Sequence, residues 1–231
     1  MNKPVDINLL KFKNAPVLLL DTCVLLDIIR DVTRESVQAH NVIAGLELLR
    51  KAESGEDLFI LIAPQVQLEL SDNESDVELE SERALKTILS RIKNVDSISF
   101  EYGSAVRITV SHLDDYVLRA KKILERWKNV SFLVPQNTDV VDRAFIRVTK
   151  SITPARKGKD SIKDCVVTET YLDIAQDLRA KGLTAPIVFA SSNTKDYCHA
   201  KNLAVDLEQE FSKFNIKYSP NLGAAKHLLG L

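Results

Sequence analysis

No apolar run in this sequence approaches the roughly 20 residues that a membrane-spanning helix needs. The N-terminus, MNKPVDINLLKFK, lacks the apolar centre and small-residue cleavage site of a secretory signal. Three cysteines, Cys23, Cys165 and Cys198, are an odd number without CxxC spacing. That argues against a disulfide frame or a cysteine-based zinc site, and for reduced, mostly buried thiols. No GxGxxG or GxxxxGKS/T motif follows a strand-like run, so nucleotide cradles of those kinds are not supported. There is no internal repeat, no low-complexity tract and no convincing linker. Net charge is −1, so the whole molecule is not a polybasic nucleic-acid binder, and any such role must come from a local patch. A cytoplasmic protein without a membrane partner is the expectation.

The chain of 231 residues, 45% hydrophobic and 27% charged, is long enough for one generous core, and a single domain over 1–231 is expected. Val17–Leu20 is continuously apolar, the mark of a strand buried on both faces. Helical patterns follow from Cys23 to Arg30 and from about Arg34 to Ser54. LFILIA (58–63) is a second buried strand, and Pro64 is a good first residue for the next helix. Residues 69–82 are acidic without a single base, and ALKTILSRIKNV then resumes a helical stripe. HLDDYVLRAKKILERWK (112–128) has a clean three-four apolar spacing, which makes Trp127 a core residue. Further helices are expected over 140–150, 161–180 and 198–213, and one closes the chain. PIVFA (186–190) and NIKYS (215–219) read as strands. Strands alternating with helices imply a three-layer α/β/α fold around a mainly parallel sheet, with a helical insertion at about 97–160.

In open sheets of this kind, ligands bind at the carboxyl ends of the strands, and the oxygen-bearing side chains fall there. Asp21 follows the first strand, and Glu69 lies early in the helix after the second. Asp164 begins the long helix leading to PIVFA, and Asn193 and Asp196 lie in the loop after it. Each has a plainer reading. Asp21 can cap the next helix, Glu69 can be the first of the solvated acids, and Asp164 can face the orphan amides of a helix start. Taken together, acids from scattered positions meeting at one edge suit Mg²⁺ or Mn²⁺, hard cations that prefer oxygen ligands. Without a cation they would repel one another.

LLLDTCVLLD, PQVQLEL, KDSIKDCVVTETYLDIA and VFASSNTKDY, in that order, resemble the PIN-domain nucleases over about residues 16–220. The family pattern is a strand ending in Asp-Thr or Asp-Ser, then a Glu early in the helix after the second strand. An Asp opening a later helix and a last acidic or amide position after the next strand complete it. Asp21, Glu69 and Asp164 match the three most characteristic acids, and Thr22 matches the hydroxyl residue beside the first. The last loop departs from the usual Thr-x-Asp, so Asn193 or Asp196 fills the fourth place. The length of 97–160 resembles a larger branch than the minimal toxin-type members. The resemblance implies Mg²⁺- or Mn²⁺-dependent phosphodiester hydrolysis with nucleic acid, RNA foremost, as substrate. A homodimer or an inhibitory protein is the further partner it suggests.

A nucleic-acid substrate needs cations. Arg143, Arg147, Lys150, Arg156, Lys157, Lys159 and Lys163 lie between residues 143 and 163 against Asp160 alone. All but Lys150 are taken, with Thr22, as candidate substrate contacts; the plainer reading is a solvated helix face and loop. Arg119, Lys121, Lys122, Arg126 and Lys128 are candidates to extend the patch. A haloacid-dehalogenase phosphatase would need a second Asp where Cys23 stands. A catalytically impaired PIN-like module that binds RNA or protein, and a DNA nuclease of the same fold, are the rivals.

Overall fold

The computed structural model describes residues 3–55 and 57–231; Met1, Asn2 and Glu56, which the expected 1–231 unit includes, lie outside the described residues. In chain order the elements are β1 (Lys3–Pro4), α1 (Ile7–Lys13), β2 (Val17–Leu20), α2 (Thr22–Leu26), α3 (Ala39–Ser54), β3 (Phe59–Ile62) and α4 (Pro64–Glu101). They continue with α5 (Tyr116–Val130), β4 (Ser131–Leu133), α6 (Thr138–Thr149), α7 (Ile162–Ala180), β5 (Ile187–Ala190) and α8 (Thr194–Tyr197). A hairpin of β6 (Cys198–His199) and β7 (Asn202–Leu203), then α9 (Val205–Lys213), β8 (Ile216–Ser219) and α10 (Leu222–Leu229) complete the chain.

Six strands form one sheet in the order β1-β4-β3-β2-β5-β8, with every neighbouring pair parallel. The four residues of β2, β3 and β5 are all buried, as strands covered on both faces by helices must be. This is the expected α/β/α arrangement. α10 packs on β2, β5 and β8 and against α3, while α7 packs against α1, α4 and α6. A cluster of aromatics around Phe189, with Tyr171, Tyr197, Phe211 and Tyr218, fills the core beside β5.

Several elements differ from the sequence reading. The acidic run and the stripe after it are one 38-residue helix, α4. Its buried positions Val66, Leu70, Val77 and Ser81 repeat at intervals of four and seven, a single helical stripe. Two acids of the run are tied to α5, Glu78 to Lys121 at 2.7 Å and Glu74 to Lys128 at 2.5 Å. The stretch 97–160 is not helical throughout, since it carries β4, which joins β3 to β1. The expected helix over 198–213 begins only at Val205, because residues 198–203 form the short hairpin instead. SSNTKDY, read as a loop, contains the single turn α8.

Candidate active site

The parallel register sets the site. Leu20 pairs with Ile62 on one side and with Ala190 on the other, so β2, β3 and β5 end level with one another. The residues just beyond those ends are therefore neighbours. Asp21 leaves β2 as the N-cap of α2, its Oδ1 accepting from the Thr22 amide at 2.7 Å. Its Oδ2 accepts from the Ser191 hydroxyl at 2.6 Å and from the Cys23 thiol at 3.3 Å. Asp21 is thus a helix cap as well as a candidate site acid. Burial pushes its carboxyl above the usual value, against the pull of the Ser191, Cys23 and Thr22 hydrogen bonds.

Glu69 is tied to the same corner. Its Oε2 accepts from the Thr22 hydroxyl at 2.8 Å and its Oε1 from the Gln65 amide at 3.2 Å. Thr22, expected to touch substrate, is buried, and its hydroxyl joins the first two acids instead. Tyr171 holds the two strand ends together, its hydroxyl donating to the Leu20 carbonyl and accepting from the Ala63 amide.

Asp164 lies in the first turn of α7. Burial, then the charges of Asp21, Asp196 and Glu69, push its carboxyl up to about 7, with Lys159 pulling the other way. These carboxylates lie within electrostatic reach of one another. Asp196 is buried and accepts from the Asn193 amide at 2.7 Å. Burial raises its carboxyl, but Lys159, Asn193 and Arg156 outweigh that and hold it below the usual range. Asn193 is therefore a hydrogen-bond partner of Asp196, so the two candidates for the fourth place stand together.

The basic block divides. Lys159 pairs with Asp196, and Arg156 stands 3.5 Å from the same carboxylate, so these two border the acids. Lys157 and Lys163 are exposed. Arg143 and Arg147 are drawn elsewhere. Arg147 is buried and holds Glu169 at 2.6 Å and Glu210 at 2.8 Å, while Arg143 holds Glu169 at 3.0 Å and Asp173 at 2.6 Å. Their ion-pair network locks α6 to α7, and they are not brought to the acids. On α5, Lys121, Arg126 and Lys128 are likewise committed, to Glu78, Glu53 and Glu74. Three of the five cations of the expected extension are therefore ion-paired, while Arg119 donates to the backbone carbonyls of Asp114 and His112 and Lys122 is exposed.

Ser191 escaped the sequence reading. Its signal was available, since it stands one residue past β5 as Asp21 stands one past β2. Ser192 was also missed; its hydroxyl donates to Asp27 at 2.6 Å and links the loop to the end of α2.

Among the described residues, no three His, Cys, Asp or Glu side chains stand as a ready-made metal-holding group. The oxygens of Asp21, Glu69 and Asp196 face protein donors instead. In kind, the donors fit Mg²⁺ or Mn²⁺: four carboxylates and one amide, all oxygen, with no soft ligand required. In charge they fit as well, because Asp21, Glu69 and Asp164 repel one another and the cations Lys159 and Arg156 sit on Asp196.

The family model of the PIN domain matches residues 18–197, a span that contains all four acids. The chain belongs to the PIN domain family, whose members are generally nucleases that use divalent metals. No curated protein and no solved structure matches it. Among the described residues, no helix is long and apolar enough to cross a membrane.

Proposed function

We propose that this chain is a Mg²⁺- or Mn²⁺-dependent endoribonuclease. The observation that carries the reading is the level ending of β2, β3 and β5, which brings Asp21, tied to Ser191, and Glu69, tied to Thr22, to one corner, with Asp164 and Asp196 within electrostatic reach. Acids that raise one another's proton affinity across such a corner are suited to a cation that relieves them. In this account Asp21, Glu69 and Asp164 hold the metal, and Asp196 completes the set with Asn193 as its hydrogen-bond partner. A bound cation would supply an activated water and positive charge facing the phosphate. Ser191 and Thr22 position Asp21 and Glu69, their hydroxyls donating to the two carboxylates. Arg156, Lys157, Lys159 and Lys163 hold the backbone of the strand. Lys159 first releases Asp196.

The pairing of Asp196 with Lys159 and Arg156 favours a second reading, an RNA-binding module without catalysis. Cleavage of labelled single-stranded RNA and DNA in Mn²⁺, Mg²⁺ or EDTA, with Asp164→Asn alongside, separates the readings. The expected result is cutting of RNA that needs the metal and is lost in Asp164→Asn. Binding of RNA with no cutting in any condition gives the second reading, and cutting of DNA alone replaces the substrate.

A further inference from the structure

We propose that the nucleic-acid strand and the divalent cation bind this site cooperatively, because Lys159 and Arg156 leave Asp196 for the strand and thereby clear it for the cation. The inference rests on the nuclease reading above. The four acids are not equally free. Asp21 faces the Ser191 hydroxyl and the Cys23 thiol, and Glu69 faces the Thr22 hydroxyl and the Gln65 amide, all neutral donors. Among the described residues, Asp196 alone of the four carries ion pairs. Lys159 Nζ pairs with its Oδ2, and Arg156 Nε stands 3.5 Å from its Oδ1, so each oxygen faces a positive charge. Lys159 and Arg156 therefore compete with a metal for one ligand of the four.

The two cations stand on a segment that can give them up. Residues 156–160, between α6 and α7, are all exposed, and they are flanked by buried Ala155 and buried Ser161. The base of this tip is fixed. Thr153 donates its amide to Asp206 at 2.9 Å and accepts from Arg147 at its carbonyl, while Ala155 packs with Val140 and Cys165. The tip itself has little to hold it. Its Gly158 takes φ +81° with nothing within 4 Å of where a Cβ would stand. Beyond its sequence neighbours, its polar ties among the described residues are the two pairs to Asp196. The Lys159 and Arg156 side chains are 50% and 44% exposed, and pairs so open to water are weak. A segment with few buried contacts is displaced at low cost. Strand phosphates offer the same charge-assisted hydrogen bonds that Asp196 does, so the two cations lose little by the transfer. Asp196, left by them, is a free oxygen ligand for Mg²⁺ or Mn²⁺. In reverse, positive charge at Asp196 turns Lys159 and Arg156 toward the strand. Linkage makes these one effect, with each ligand raising the other's affinity by the same factor.

The test uses the full chain and reads free Mn²⁺ by its paramagnetic resonance signal, so that no cleavage is needed. Mn²⁺ is titrated alone and then with a saturating 2′-O-methyl oligoribonucleotide. Gels check that the strand stays intact, and its own Mn²⁺ uptake is subtracted. The strand should tighten Mn²⁺ binding about tenfold, within the usual range of coupling between sites. Mn²⁺ should tighten the strand by the same factor, read from the anisotropy of a labelled copy. Lys159→Met should show most of that gain without the strand and little more with it. Lys157→Met, which removes an exposed charge from the same tip, gauges the general field and should stay close to wild type. Equal Mn²⁺ affinity with and without the strand, or no difference between Lys159→Met and Lys157→Met, overturns the proposal. The wild-type comparison decides it if either variant does not fold. Metal-dependent cutting with uncoupled binding overturns the proposal and leaves the nuclease reading. Coupled binding in a protein that cuts nothing does the reverse, and absence of Mn²⁺ binding in every condition removes both.

Discussion

Asp164 shows most clearly what the site asks of a single residue. Its native carboxyl keeps a proton up to about 7, whereas in an unfolded chain it would lose it near the ordinary 3.8. Between those values the native state holds more protons, so stability falls as pH rises. The contribution is fully present below 3.8 and is lost as the pH rises through about 7. Asp164→Asn should therefore be more stable than wild type at pH 8 in EDTA, on the order of 4 kcal/mol, and nearly level with it at pH 4. Thermal melts across pH check this, and parallel profiles for the two proteins would contradict it. Arg147 makes the opposite case. The residue lies in a basic-looking stretch, yet it is 3% exposed and holds Glu169 and Glu210. Arg147→Met strands the buried Glu169, and urea unfolding should show a loss of about 3–5 kcal/mol. Folded Arg147→Met protein should keep wild-type RNA affinity, because the side chain faces its own network and not the substrate.

At the scale of elements, Tyr171 is the joint between α7 and the ends of β2 and β3. Tyr171→Phe leaves the Leu20 carbonyl and the Ala63 amide unpaired in the core, a loss of about 1–3 kcal/mol. Since those two groups precede Asp21 and the start of α4, kcat should fall while KM for RNA holds. A fall in stability with kcat untouched would make Tyr171 purely structural. α4 has two halves of different character. Through Ser81 it has a buried stripe and ion pairs to α5, whereas from Glu82 onward no residue of it is buried. Amide exchange should therefore be slow before residue 82 and fast over 86–101. β2, β3, β5 and β8 were legible in the sequence because short apolar runs bounded by turn residues have few meanings, and the acids near those runs were legible as candidates. β4 was not legible, because three residues, Ser131–Leu133, carry no period, and the sheet pairing to β3 makes the strand. The fates of the cations were not legible either. Lys159 and Arg147 look alike in sequence, and only the packing of α6 and α7 decides which partner each receives.

For the molecule as a whole, the net charge of −1 conceals an uneven surface. Lys121 and Lys128 of α5 are matched by acids of α4, and the 156–163 segment is the cationic border of the acids. RNA binding should weaken with salt, and neutralising Lys157 and Lys159 together should lower the slope by about 1.4. An unchanged slope would place the RNA on another surface. The central claim is that a divalent cation belongs among Asp21, Glu69, Asp164 and Asp196. Calorimetric titration of Mn²⁺ at pH 6.5, in two buffers of different ionisation heat, tests it most directly. With Asp164 still protonated there, wild type should bind Mn²⁺ saturably and release most of a proton. Asp164→Asn should bind weakly and release far less. Absence of saturable binding in wild type, or equal affinity and proton release in the two proteins, would contradict the account.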